Sequence, residues 1–209
     1  MRIIGGRSRG LKLAEVGEGD AKAHLRPTSD RVREAIFNLL INGGYGNPVA
    51  GARVLDLFAG TGAMGLEALS RGAESALFVD KGQAAIALLR KNIDACGFRE
   101  KSVVVQRDLS RGLFFAPDVL PAGGFTLIFV DPPYRLNLAS TTVAAIDAAR
   151  LLAPGGIVVA ESRANGTLPD VIGGLTARDR RAYGEAGVFA EGAKELEGVL
   201  TRELILAVV

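Results

Sequence analysis

The chain has 209 residues, 48% of them hydrophobic and 23% charged, with a net charge of +2. That length and apolar share suffice for one substantial core with a small appendage, and so even a charge balance excludes recognition of nucleic acid by bulk charge alone. A single cysteine excludes an internal disulfide framework and fits a reducing cytoplasm, while the apolar runs fall far short of the roughly 20 residues of a membrane helix and no signal pattern opens the chain.

Residues 1–50 open with Met1–Leu13, which holds Arg2, Arg7, Arg9 and Lys12 and no acid, with turn points at Gly5-Gly6 and Gly10. This reads as a basic β-hairpin. His24, the sole histidine, lies in a polar stretch and reads as a surface residue with no metal cluster around it. A helix begins after Pro27-Thr28-Ser29-Asp30, with Val32, Ile36, Leu39 and Leu40 on one face and Arg31 and Arg33 off it.

From Arg53 onward short apolar runs alternate with helical stretches. Arg53–Phe58 reads as a strand, Ala63–Arg71 as a helix stopped by Gly72, and Ser75–Asp80 as a second strand. The helix predicted over Gln83–Cys96 carries an apolar stripe at Ile86, Leu89, Ile93 and Cys96, with Gly97 as its stop, so Cys96 belongs to the core. Further strands are predicted at Ser102–Gln106, Phe125–Val130 and Gly156–Ala160, with a helix over Leu138–Leu152 and a turn at Pro154-Gly155-Gly156 before the last. Val199–Val209 is a strong strand, expected to pair antiparallel with a segment near Leu175–Tyr183. Alternating βα units imply a parallel, doubly wound sheet.

Two motifs carry chemistry. Asp131-Pro132-Pro133-Tyr134 follows the apolar run 125–130 and so stands at a strand's carboxyl end, where open α/β sheets bind ligands. The prolines fix φ and remove two backbone donors, which leaves a stiff cluster of acceptors beside an aromatic ring. Such a site suits a planar molecule with an exocyclic amine, a nucleobase above all. Gly60-Thr61-Gly62-Ala63-Met64-Gly65 matches GxGxxG between a strand and a helix, and Asp80 ends the next strand. Asp56 before the loop would repel a pyrophosphate, and the loop has no Lys or Arg. S-adenosylmethionine, which is cationic and has no phosphate, suits it better: Asp80 would accept from the ribose and Asp108 from the adenine amine. Asp56 can also be read as a satisfied strand-end carboxylate, and Asp80 and Asp108 as helix caps.

Together these residues resemble a class I S-adenosylmethionine-dependent methyltransferase: 54–62 is similar to the cofactor motif and 131–134 to the motif of amino-group methyltransferases. Met1-Arg-Ile-Ile-Gly-Gly6, the stretch from Leu25-Arg-Pro-Thr to Asn38, and Phe58–Arg71 are similar to the RsmD family over roughly residues 1–183, while 185–198 is longer than that pattern. The resemblance implies transfer of a methyl group to the N2 amine of one guanine in 16S ribosomal RNA. It also implies a seven-stranded, mostly parallel Rossmann-like sheet over residues 51–209, with an antiparallel C-terminal strand and a hairpin-and-helix extension over 1–50.

By this resemblance Asp56, Phe58, Gly60, Gly62, Asp80, Lys81 and Asp108 border the cofactor, S-adenosyl-L-methionine. Asp131 and Pro132 hold the guanine amine, with Pro133 keeping the turn rigid and Tyr134 stacking on the base. Arg2, Arg7, Arg9, Lys12, Arg26, Arg31 and Arg33 would face RNA phosphates. The expected partner is 16S rRNA or the small ribosomal subunit, met by a cytoplasmic monomer with no metal and no membrane. Methylation of a DNA adenine or a protein glutamine, dinucleotide oxidoreduction, and a non-catalytic RNA-binding assembly factor are the rival readings.

Overall fold

A computed structural model describes residues 1–15, 30–132, 138–162, 168–182 and 202–208. One eight-stranded sheet organises them. The strands are β1 (Arg53–Leu57), β2 (Ser75–Asp80), β3 (Ser102–Gln106), β4 (Phe125–Val130), β5 (Leu152–Ser162), β6 (Val171–Ile172), β7 (Leu175–Ala182) and β8 (Arg202–Val208), and they lie in the order β3-β2-β1-β4-β5-β8-β7-β6. The helices are α1 (Asp30–Asn42), α2 (Ala63–Ser70), α3 (Gln83–Cys96) and α4 (Leu138–Ala148).

Strands β1, β2 and β4 are buried along almost their whole length, as expected of parallel strands covered on both faces. Alternate residues serve opposite faces. Val54, Phe78, Leu127 and Phe129 pack with α1, α2 and α3, whereas Leu55, Leu57, Val79, Ile128 and Val130 pack with Val143 and Ile146 of α4. The first of these clusters also takes in Ile3 and Leu13 of the amino-terminal segment and Ile36, Phe37 and Leu40 of α1.

The amino-terminal hairpin forms as expected, with Arg2 bridged antiparallel to Lys12 and Ile3 N–H donating to the Leu11 carbonyl at 2.9 Å. It is fastened to α2 by the buried Glu67 carboxylate, which accepts from the Ile4 and Gly5 N–H groups at 2.8 Å each. The Ser70 hydroxyl donates to the Gly5 carbonyl at 2.6 Å and accepts from the Ser8 N–H at 3.0 Å.

Several boundaries move from their expected places. Helix α4 stops at Ala148, short of Leu152, because the chain turns back at Arg150 (φ 52°) and the Leu151 N–H bonds the Ile146 carbonyl. The turn expected at Pro154-Gly155-Gly156 is absorbed as a bulge inside β5, where Phe125 pairs with Leu152 but Leu127 with Ile157. The antiparallel element expected near the carboxyl end is the β6–β7 hairpin, joined through Gly173-Gly174. Strand β8, expected antiparallel to the segment near 175–183, instead inserts between β5 and β7 and runs parallel to both. Parallel pairing needs a crossover of a dozen or more residues, and 183–201 supply that length.

Candidate active site

The carboxyl ends of β1, β2 and β4 meet at one edge of the sheet. After β1 the chain enters the glycine loop through Phe58, which holds a positive φ of 63° without being glycine, and continues with Gly60 at 55° and Gly62 at 83°. Such a conformation in a bulky residue is strained by about 1–3 kcal/mol and persists only where its surroundings enforce it. Here the Ala59 N–H donates to the Val79 carbonyl at 3.0 Å and the Gly62 N–H to the Ala59 carbonyl at 2.7 Å. The third glycine is a packing requirement: a Cβ on Gly65 would lie 2.3 Å from the Phe78 ring and 3.1 Å from Asp56 Oδ2.

Three carboxylates organise this edge. Asp80 clamps the loop to β2, accepting from the Gly60 N–H at 2.8 Å and the Gly82 N–H at 2.7 Å. Asp56 is only 2% exposed and accepts from the Gly65 N–H at 2.9 Å. Burial raises its pKa from 3.8 to about 7; the Gly65 N–H works against that rise, and the charges of Asp131 and Asp80 add to it. Asp131 is half-buried at the tip of β4, its N–H directed at the Leu57 carbonyl at 3.5 Å, and Pro132 beside it is buried. Asp56, Asp80 and Asp131 therefore feel one another, and a cation bound among them would relieve the repulsion. A pyrophosphate would aggravate it.

Asp108 stands apart from these three. It caps a short 3-10 turn at Leu109–Arg111, accepting from the Ser110 N–H at 3.1 Å and the Ser110 hydroxyl at 2.8 Å. Those bonds hold its pKa below the usual carboxylate value. Lys81 Nζ lies 3.8 Å from its Oδ2.

The expected basic surface is only partly assembled. Arg2, Arg9, Lys12 and Arg31 are exposed. Arg7 is exposed too, but its guanidinium stacks 4.3 Å over the Phe98 ring and donates to the Gly97 carbonyl. Arg33 is a correction: expected at the surface, it is fully buried on the same face of α1 as Ile36, Phe37 and Leu40. Its guanidinium donates to the Arg2 carbonyl and to Asp30, and lies 3.7 Å from Glu67. An unpaired charge at that depth would be prohibitive, so Arg33 is a structural partner of Glu67 and is removed from the RNA-facing set. Cys96 is buried, as its place on the α3 stripe requires. His24, Arg26, Pro133 and Tyr134 lie outside the described residues.

One residue at the site went unread in the sequence. Asn92 of α3 is 1% exposed; its carbonyl oxygen accepts from the Ala14 N–H at 2.7 Å, and its amide nitrogen donates to the Ala14 carbonyl at 3.2 Å and the Thr61 carbonyl at 3.0 Å. It thus bolts the end of the amino-terminal hairpin to the glycine loop. The signal was present: position 92 falls between Leu89 and Cys96 on the apolar stripe, where a polar residue must have buried partners.

Comparison with known proteins agrees with this geometry. The family model described as "Conserved hypothetical protein 95" matches residues 1–190. YlbH of Bacillus subtilis is 37% identical over 188 residues, 90% of this chain and 96% of that protein. The protein named Ribosomal RNA small subunit methyltransferase D in Escherichia coli is 37% identical over 171 residues, 82% of this chain and 79% of that one. Among solved structures, a hypothetical protein of Thermus thermophilus superposes with a TM-score of 0.64 at 33% identity, over 81% of this chain and 90% of that one. The matched span runs from the basic hairpin through the glycine loop to the Asp131-Pro132 tip, and the chain belongs to this family, that of the RsmD methyltransferases.

Proposed function

We propose that the protein transfers a methyl group from S-adenosyl-L-methionine to the exocyclic N2 amine of a guanine in 16S ribosomal RNA, acting in the cytoplasm on the small subunit or its RNA. The observation that carries this reading is the convergence of the Asp131-Pro132 tip with the buried Asp56 and the Asp80-clamped glycine loop at one sheet edge. The name of the Escherichia coli relative supports the RNA substrate.

The residues fit the cofactor. A carboxylate held at a pKa of about 7 by burial gains from a cationic neighbour, and no Lys or Arg occupies the loop to attract phosphate instead. Asp56, Phe58, Gly60 and Gly62 would border the methionine portion and Asp80 the ribose. Lys81 and Asp108 would border the adenine end. When bound, the cofactor supplies a methyl group activated by a sulfonium.

The protein's own contribution is positioning and charge stabilisation. Guanine N2 is a poor nucleophile because its lone pair is delocalised into the ring. The Asp131 carboxylate and the Pro132 carbonyl accept the two N–H bonds of that amine, turn its lone pair out of conjugation and stabilise the positive charge that develops on nitrogen. The proton then leaves late, to Asp131 or to water, and Tyr134 would hold the base by stacking. A base within a helix cannot reach such a tip, so the target guanine is unpaired or flipped out.

The deciding experiment is transfer of labelled methyl to undermethylated small subunits, with mapping of the modified base. Label on a guanine N2 is the expected result; label on another atom, or none from a folded, cofactor-binding protein, refutes the proposal.

A further inference from the structure

The loop that follows β3 holds the most exposed of the large apolar side chains among the described residues. Phe114 is 70% exposed, whereas its neighbours Leu109 and Leu113 are buried and Phe115 packs against the core. The ring does not swing free. It lies across the backbone of Gly112 (φ 106°), so closely that a Cβ there would come within 2.6 Å of it, and the Phe114 carbonyl accepts from the Arg107 guanidinium. The Arg107 N–H in turn donates to the Asp80 carbonyl at 2.8 Å, tying the loop to the edge that holds the glycine loop. The ring therefore rests beside the Gly112 backbone and still leaves most of its surface open to solvent.

The loop also supplies cations: Arg107 is half-buried and holds the Phe114 carbonyl, and Arg111, three residues before the ring, is exposed. An exposed aromatic ring in a loop that also carries an exposed arginine is a combination that single-stranded nucleic acid selects, because bases stack on rings while phosphates meet the charges. We propose that Phe114 is a stacking platform for an unpaired nucleotide of the RNA substrate that flanks the target guanine, with Arg111 meeting its phosphate. This rests on the reading of the substrate as RNA. The nucleotide is a neighbour and not the target itself: three strand spacings separate β3 from β4, about 14 Å at roughly 4.8 Å each. Extracting a guanine deprives its neighbours of a stacking partner, and Phe114 restores one.

The chain contains no tryptophan, so Phe114→Trp introduces a single tryptophan, excited selectively over tyrosine, at the platform. Titration of this variant with small-subunit RNA should quench its emission, while S-adenosylmethionine alone should leave the emission unchanged. In parallel, Phe114→Ala should raise the KM for RNA about tenfold, with cofactor Kd and thermal stability as in the parent, and Phe114→Trp should restore it. Quenching by the cofactor alone, or a Phe114→Ala variant with weakened cofactor binding and unaltered KM for RNA, would overturn the proposal and make the ring a cover for the adenine. A normal KM for both ligands would overturn it as well. If the parent methylates RNA and Phe114→Ala is indifferent, only this inference falls; a parent that neither binds nor methylates RNA refutes the substrate reading and this inference together.

Discussion

Asp56 makes the stability of the cofactor-free protein depend on pH in a direction opposite to that of most carboxylates. Its pKa rises from 3.8 to about 7 on folding, chiefly through burial. Below pH 3.8 the group is protonated in both states; between 3.8 and 7 the folded state holds a proton that the unfolded state has released, so stability falls as pH rises, and above about 7 the loss is complete. At about 1.36 kcal/mol per pH unit the full difference is about 4 kcal/mol, of which roughly 2.5 kcal/mol falls between pH 5 and 8. For a chain of this length that corresponds to roughly 5–10 °C in Tm. The assay is thermal unfolding of the cofactor-free protein from pH 5 to 8, compared at each pH with Asp56→Asn, so that titration of every other group cancels. The parent should lose stability towards pH 7 and then level off relative to Asp56→Asn, which should be the more stable protein at pH 8. The variant should bind S-adenosylmethionine more weakly, and the parent should release a proton on binding it near pH 6. A parent and variant with parallel profiles would refute the reasoning, since a buried carboxylate without a cation would then carry no penalty.

Asp131→Ala should lower methyl transfer by on the order of 100-fold, taking one charge-stabilising contact as the scale, with cofactor binding retained by titration. Excising residues 2–12 would remove buried Ile3 and the donors to Glu67, so the basic surface is better tested by charge reversal: Arg9→Glu with Lys12→Glu should weaken RNA binding and flatten its salt dependence without changing Tm. Glu67→Ala removes the buried acceptor of the Ile4 and Gly5 N–H groups and of Arg71, leaves Arg33 with Asp30 as its carboxylate, and should cost about 3–5 kcal/mol in urea denaturation. Asn92→Ala strands the Thr61 carbonyl and the Ala14 backbone and should cost about 1–3 kcal/mol, with faster amide exchange across the glycine loop.

What the sequence made legible and what it hid follow from one distinction. Parallel strands buried on both faces appear as continuous apolar runs, so β1, β2 and β4 lie where their composition put them, and the loops after β1 and β2 are fixed with them. Asp56, Asp80 and Asp131 were legible as a group because each sits at a strand's end, and strand order brings those ends together without any side-chain detail. A strand carries no mark of its direction, however: β8 pairs parallel with both β5 and β7, which composition alone does not reveal.

The polar residues that turn out to be buried are a harder case, because a pattern of apolar and polar positions assigns every charge to solvent. Arg33, Glu67 and Asn92 all occupy the apolar faces of their helices, and each bonds a partner distant in sequence: Arg2 for the first, Ile4 and Gly5 for the second, Ala14 and Thr61 for the third. All three bind the amino-terminal hairpin to the helices or the glycine loop of the sheet domain. Desolvated polar groups are worth their cost when they fix one arrangement against its alternatives. Here the arrangement they fix is the seating of a basic hairpin against the helix that begins at Ala63 and against the loop that precedes it. Apolar replacements at these three positions could preserve the core, but they would leave the register of that hairpin unspecified. Arg33, expected at the surface, and Glu67 and Asn92, unread in the sequence, are therefore the residues that set where the basic hairpin stands relative to the glycine loop.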